Sequence, residues 1–210
     1  MSGNNNQPST QQKIIQKKRF ATEIKQLKSS PLHYMTAYPD ESNPLIWYFL
    51  LIGQKGTPYH GGEYMGKIMH SDNYPFQPPD YYMLTPSGRY EVGKKICLTN
   101  SSFHRGEWSS SWNIINILIG FYLIWCDDKE HGIAHIQDTP ENRKRMALDS
   151  IDFNRTKYGE IYSKFDRTAL RDDDPNEKVK TTEKKSSEVV DTKPSANEIL
   201  DTKPSANEIL

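Results

Sequence analysis

The chain has 210 residues, and its 27 basic side chains balance 27 acidic ones, so the formal net charge is zero. This length suits one domain of about 150 residues plus tails, enough to bury a core, and the charge balance excludes a whole-chain basic field for nucleic acid. The two cysteines, Cys97 and Cys126, exclude a disulfide scaffold and fit a reducing compartment.

The segment Met1 to Gln12 is rich in Asn, Gln and Ser and lacks the apolar centre of a secretory signal. Residues 1–10 are expected to be disordered. From Gln11 to Ser29, Ile14, Ile15, Phe20, Ile24 and Leu27 form an apolar helical stripe, with Lys13, Lys17, Lys18, Arg19 and Lys25 around it. Ser29, Ser30 and Pro31 end that helix. Four strand-like segments follow: Leu32 to Tyr38, Leu45 to Ile52 after Asn43-Pro44, Glu63 to His70, and Tyr81 to Leu84. Between the second and third, Gly53 to Gly62 reads as a turn. Tyr74-Pro75-Phe76-Gln77-Pro78-Pro79 excludes a regular helix or central strand, because proline donates no hydrogen bond.

Thr85 to Ser111 is a long irregular stretch containing Cys97, and such stretches inside compact domains are usually functional. Trp112 to Trp125 is nearly all apolar and reads as a buried central helix. The apolar run from Ile114 to Cys126 falls short of the roughly 20 residues of a membrane span. Thr139 as cap and Pro140 in the first turn start another helix, running through Met146, Ala147, Ile151 and Phe153. A short last helix is expected from about Tyr158 to Leu170. From Asp172 the chain is polar, and it ends in two copies of DTKPSANEIL, Asp191 to Leu200 and Asp201 to Leu210. Two short polar copies containing proline cannot build a core, so residues 171–210 are expected to be a disordered tail. The order of helix, four strands, irregular loop and helices is an α+β pattern, with an antiparallel meander packed on the apolar helix.

Cys97 follows Lys94, Lys95 and Ile96. Two lysines beside a cysteine favour its thiolate, yet free cysteine is also among the most buried residue types. The local sequence fits both readings. Cys126, at the end of an apolar helix, fits a buried thiol. A protease reading needs a histidine base, for which His104 and His135 are available, but no local protease signature surrounds Cys97. The cysteine and histidine spacings match no zinc site.

Four motifs occur in order: Tyr59-His60-Gly61-Gly62, then Tyr74-Pro75-Phe76-Gln77-Pro78-Pro79, then Ile96-Cys97-Leu98, then Trp108. Together they resemble the ubiquitin-conjugating enzyme family over roughly residues 11–170. Tyr82-Met83-Leu84-Thr85-Pro86-Ser87-Gly88-Arg89 and the longer loop with Phe103-His104 resemble its J-type subgroup, linked to protein degradation at the endoplasmic reticulum. In that subgroup the usual His-Pro-Asn triplet reads Thr-Pro-Asn.

The resemblance implies that Cys97 takes ubiquitin from the activating enzyme as a thioester and passes it to substrate lysine or hydroxyl groups, with no cofactor and no metal. Ser87 stands where the family has an asparagine thought to steady the oxyanion or the active-site loop. Serine keeps one donor with a shorter reach. The resemblance casts His104 as a proton acceptor or gate for the incoming nucleophile. It puts His135 where many relatives carry an acidic or serine residue that tunes the acceptor. Contacts with a RING-type ligase map to Lys17, Lys18 and Arg19, to Phe76, and to Ser109-Ser110-Ser111, with Ser110 where relatives have proline. Implied partners are ubiquitin, its activating enzyme, a ligase and substrate proteins. J-type relatives end in a membrane anchor that this chain lacks, so a cytoplasmic location is expected. The weighed alternatives are a catalytically weak or inactive ubiquitin-binding scaffold of the same fold and an unrelated cysteine hydrolase.

Overall fold

Helix α1 (Thr10–Ser29) starts on a capping box: Ser9 Oγ accepts from the Gln12 N–H at 3.2 Å, and Gln12 Oε1 accepts from the Ser9 N–H at 2.7 Å. In this computed structural model residues 8–98, 101–127 and 132–171 are described. Most of the expected N-terminal segment and nearly all of the expected tail lie outside the described residues. Phe20, Ile24 and Leu27 of α1 pack on the core as the stripe predicts, while Ile14 is exposed.

Strands β1 (Met35–Pro39), β2 (Ile46–Ile52), β3 (Glu63–Met69) and β4 (Asp80–Met83) form an antiparallel sheet in sequential order. Alternation sorts β2 onto two faces. Trp47, Phe49 and Leu51 join the main core, and Leu50 joins a second cluster on the opposite face. Phe49 pairs with Gly66 of β3. A Cβ at Gly66 would lie 2.1 Å from Phe49 Cζ, so the ring needs glycine opposite it.

Helix α2 (Ile114–Cys126) is capped by Asn113, whose side chain accepts from the Asn116 N–H. Ile114, Ile117, Leu118, Phe121, Tyr122 and Trp125 are buried at helical spacing on the inner sheet face. The Phe121 ring lies 5.0 Å from Phe49, and Trp125 lies 5.0 Å from Tyr59 and 5.1 Å from Tyr64.

Helix α3 (Pro140–Ser163) begins on the Thr139 cap. The short helix expected from about Tyr158 to Leu170 starts at a break but ends early, at Ser163. It continues α3 through a non-helical residue, Tyr158 (φ −132°, ψ 29°). The chain then turns so that Phe165 and Leu170 join Tyr162, Leu50 and Met65 on the outer sheet face. A continued helix would forfeit these contacts. Arg167 replaces one of the lost helical bonds by donating to the Tyr162 carbonyl at 3.1 Å, and Tyr38 Oη donates to the Ile161 carbonyl at 2.7 Å.

His70, after β3, is buried among Phe20, Trp47 and Tyr74, the last ring 4.2 Å away. Neither ring nitrogen has a hydrogen-bond partner among the described residues. Burial, helped by the Arg19 charge, pushes its pKa down from 6.5 to about 3. The unfolded chain takes up this proton first, so His70 withdraws stability as pH falls below 6.5. At pH 5 the loss is about 2 kcal/mol. His70→Leu is expected to shrink the stability difference between pH 7.5 and pH 5 by that amount, as read by urea unfolding at the two pH values.

Candidate active site

After β4 the irregular stretch is tied down by single bridges: Tyr82 to Lys95, Met83 to Val92 and Tyr90 to His135. The Ile96 N–H bonds the Tyr81 carbonyl at 2.9 Å and the Cys97 N–H bonds the Ile133 carbonyl at 3.2 Å. Ile96 and Leu98 are buried to either side, and extended alternation turns Cys97 outward, half-buried. Cys126 is exposed rather than buried, because α2 ends there with its core face already supplied by Trp125.

His104 stands over the thiol, with Nε2 3.3 Å from Cys97 Sγ. It lies in a 3₁₀ segment (Ser102–Glu107) that breaks at His104 itself (φ −123°, ψ 54°). Ser101 is buried and anchors the loop: its hydroxyl donates to the Leu98 carbonyl at 2.7 Å and accepts from the Leu98 N–H at 3.2 Å. On its far side His104 Nδ1 is 3.7 Å from Glu107 Oε1. The two lysines before Cys97 are engaged elsewhere: Lys94 pairs with Glu91 at 2.7 Å, and Lys95 pairs with Asp80 at 2.9 Å and sits over the Phe103 ring. Among the described residues the polarising side chain in contact with the sulfur is His104.

Ser87 occupies a tight turn. It is fully buried, and its Oγ accepts from the Arg89 N–H at 3.2 Å. Gly88 has φ +71°, and a Cβ there would meet Arg143 Cγ at 2.9 Å. Thr85 Oγ1 accepts from the Met65 N–H at 2.8 Å and donates to Asn154 at 2.5 Å. No hydrogen bond among the described residues links Ser87 to Cys97. Opposite the thiol runs the 132–136 segment, where Ala134 has φ +68°. That left-handed turn costs about 1 kcal/mol for a residue with a Cβ. It separates Ile133, which receives the Cys97 N–H, from His135.

The segments expected to meet a ligase converge. Lys17, Lys18, Phe76 and Ser110 are exposed, Phe76 by 53%. Arg19 is not part of that surface. It turns inward, donating to Glu23 Oε1 at 2.7 Å and to the Trp112 carbonyl at 2.6 Å. Glu23 is wholly buried and also accepts from Tyr74 Oη at 2.6 Å and from the Ile114 N–H at 3.3 Å, at the start of α2. Burial pushes its carboxyl above the ordinary range, against the pull of these donors. Trp108 Nε1 donates to the Pro75 carbonyl at 2.8 Å. One buried carboxylate thus fastens α1, the Pro-rich loop and the loop before α2 into a single surface. Its sequence signal was its spacing: Phe20, Glu23, Ile24 and Leu27 fall on one helical face, and Glu23 is the charged member.

Among the described residues no helix is long and apolar enough to cross a membrane, and no three His, Cys, Asp or Glu side chains cluster as metal ligands.

The sequence profile of the ubiquitin-conjugating enzymes matches residues 19–145, which contain Cys97, Ser87, His104, Phe76 and Ser110. The chain belongs to the ubiquitin-conjugating enzyme family. A Dictyostelium discoideum ubiquitin-conjugating enzyme E2 J2-like protein is 36% identical over 137 residues, covering 65% of this chain and 80% of that protein. Ubiquitin-conjugating enzyme E2 6 of Eremothecium gossypii is 34% identical over 140 residues, 67% of this chain and 57% of its own. Human ubiquitin-conjugating enzyme E2 J2 is 33% identical over 136 residues, 65% of this chain and 52% of its own. The chain therefore resembles the J-type subgroup, and it spans little more than half the length of the last two relatives. A solved structure of human ubiquitin-conjugating enzyme E2 G1 aligns with a TM-score of 0.46 and 20% identity, over 51% of this chain and 92% of that one.

Removing the Glu23 carboxylate leaves Arg19, Tyr74 and the Ile114 N–H without their shared acceptor. Glu23→Ala is expected to cost about 3 kcal/mol or more. Glu23→Gln keeps an acceptor oxygen and is expected to cost about 1 kcal/mol. Urea unfolding at pH 7 distinguishes the two.

Proposed function

We propose that Cys97 accepts ubiquitin from its activating enzyme as a thioester and passes it to a substrate amine or hydroxyl with the help of a RING-type ligase. The observation that carries this reading is a half-exposed thiol, inside the family match, with Sγ 3.3 Å from the His104 imidazole. In charging, the Cys97 thiolate attacks the carbonyl carbon of the ubiquitin thioester on the activating enzyme, and that enzyme's cysteine leaves as thiolate. In discharge, the substrate nucleophile attacks the new thioester and expels the Cys97 thiolate, which is free to be charged again. The thioester supplies the driving force, so the protein's work is positioning and charge stabilisation.

His104 serves both steps. As Cys97 attacks during charging, Nε2 accepts its proton and passes it to the leaving thiolate or to solvent. Once the sulfur is acylated that proton is gone, and Nε2 becomes the acceptor for the proton of the incoming group. A hydroxyl needs this more than a neutral amine does, because the neutral amine is already a strong nucleophile, whereas the hydroxyl attacks effectively only as its proton is removed. Lys17, Lys18, Phe76 and Ser110 form the proposed ligase face, with Phe76 as the apolar anchor. Two cysteines without a disulfide fit the reducing cytoplasm as the site of action.

Incubation with activating enzyme, ATP and ubiquitin is expected to give a thiol-sensitive adduct on the wild type, none on Cys97→Ala, and a thiol-resistant ester on Cys97→Ser. A wild type without adduct, or an adduct that survives Cys97→Ala, overturns the proposal. His104→Gln is expected to slow discharge to a serine peptide by about 100-fold, and discharge to lysine by much less. Ser87→Asn adds volume at a fully buried site. It is expected to lose about 1–3 kcal/mol of stability and to bring no gain in lysine discharge, measured in a single-turnover assay.

A further inference from the structure

The family's asparagine amide is absent here, and Ser87 in its place is sealed inside a turn. The acyl carbonyl on Cys97 nevertheless becomes an oxyanion during transfer and needs a donor. Resting on the reading of Cys97 as the thioester carrier, we propose that His135 supplies this donor through Nε2–H, in a tautomer fixed by the buried Arg89.

The tautomer follows from Arg89. Its guanidinium nitrogen NH1 lies 3.3 Å from His135 Nδ1. A guanidinium has only donors, so Nδ1 is the accepting nitrogen and the neutral ring carries its proton on Nε2. Arg89 is only 1% exposed and is held from every side. NH2 donates to the Ile124 carbonyl at 3.1 Å and to the Asp127 carbonyl at 2.5 Å, at the C-terminal end of α2, where a cation is favoured. Its own carbonyl accepts from the Ile136 N–H at 2.9 Å. The Tyr90 ring meets the imidazole edge-on at 4.8 Å. The ring therefore has a fixed place as well as a fixed proton.

Its direction follows from Gly132. A Cβ built there would lie 3.5 Å from Cys97 Cβ, 3.6 Å from the Cys97 carbonyl oxygen and 3.6 Å from His135 Nε2. Cys97 and Nε2 thus both lie beside the Gly132 Cα, where residue 132 itself places no side chain between them. Gly132 is exposed, whereas the Nε2 atom beside it is buried. The left-handed turn at Ala134 and the Tyr90–His135 bridge hold the imidazole there.

In the transfer step the amine nitrogen attacks the thioester carbon and the C=O pair moves onto oxygen. His135 Nε2–H donates to that oxygen and keeps its proton. The C=O bond re-forms, the C–S bond breaks, Cys97 leaves as thiolate, and the surplus amine proton passes to a base or solvent. His135 is a catalytic residue in this scheme, and Arg89 is a positioning residue.

The test uses the full chain, charged with ubiquitin, separated from activating enzyme and discharged onto free lysine in a single turnover. His135→Ala is expected to charge normally and discharge about 100-fold more slowly. His135→Gln restores an N–H at similar reach and is expected to recover most of the rate. His135→Glu has the same shape without the donor and is expected to stay slow. Discharge of His135→Ala or His135→Glu at the wild-type rate overturns the proposal, as does a His135→Gln no faster than alanine. Long-range ¹H–¹⁵N spectra of the wild type read the role of Arg89 directly: an Nε2–H tautomer is expected, and an Nδ1–H tautomer overturns it without any variant having to fold. A wild type that never charges at Cys97 overturns the thioester reading itself, whereas normal charging with unaltered discharge in the variants overturns only the role of His135.

Discussion

Helix α2 lies buried along its inner face, and each end is held by a buried side chain of opposite charge. Glu23 accepts from the Ile114 N–H at its N-terminus, where the helix dipole is positive. Arg89 donates to the last carbonyls at its C-terminus, where the dipole is negative. These two contacts tie the remainder of the molecule to the helix. Phe121 and Trp125 between them set the distance from helix to sheet, and the capping side chains come from segments that would otherwise have no fixed relation to it.

Each cap also organises a surface. Glu23 collects Arg19, Tyr74 and Ile114 and so sets α1, the Pro-rich loop and the loop before α2 side by side. The exposed Phe76 and Ser110 ride on that frame. Arg89 orders the other end, where the turn containing Ser87 and Gly88 meets the segment from Gly132 to Ile136 beside Cys97. The proposed ligase face and the proposed reaction centre are therefore the two ends of one helix.

Much of the architecture was legible in the residues. The apolar stripe of α1, the alternation in β2, the nearly continuous apolar run of α2 and the Thr139-Pro140 start of α3 are local patterns, and local physics decides them. The motifs around Cys97 were legible by resemblance. Inward-turned charges were not read there, although Glu23 falls on the apolar face of α1. Arg19 and Glu23 sit four apart, a spacing that reads as a solvated ion pair, and only the approach of Tyr74 and Ile114 from distant sequence makes the carboxylate a buried hub. Arg89 and His135 are separated by 46 positions, and nothing in either neighbourhood announces the other. The end of α3 was missed for a related reason: helix propensity persists past Ser163, but the outer face of the sheet draws Phe165 and Leu170 away from it.

That outer face bears on how the chain can be divided. The family match stops at residue 145, early in α3. The folding unit does not stop there, because Tyr162, Phe165 and Leu170 cover Leu50 and Met65 on the side of the sheet away from α2. A fragment trimmed to the matched region would keep the thiol, the histidine above it and the whole main sheet. It would also bare an apolar stripe across β2 and β3, turning the back of the sheet into an adhesive surface. The packed unit runs on to about residue 171, where the Arg171 N–H bonds the His33 carbonyl at 2.6 Å and fastens the segment after α3 to the entry of β1.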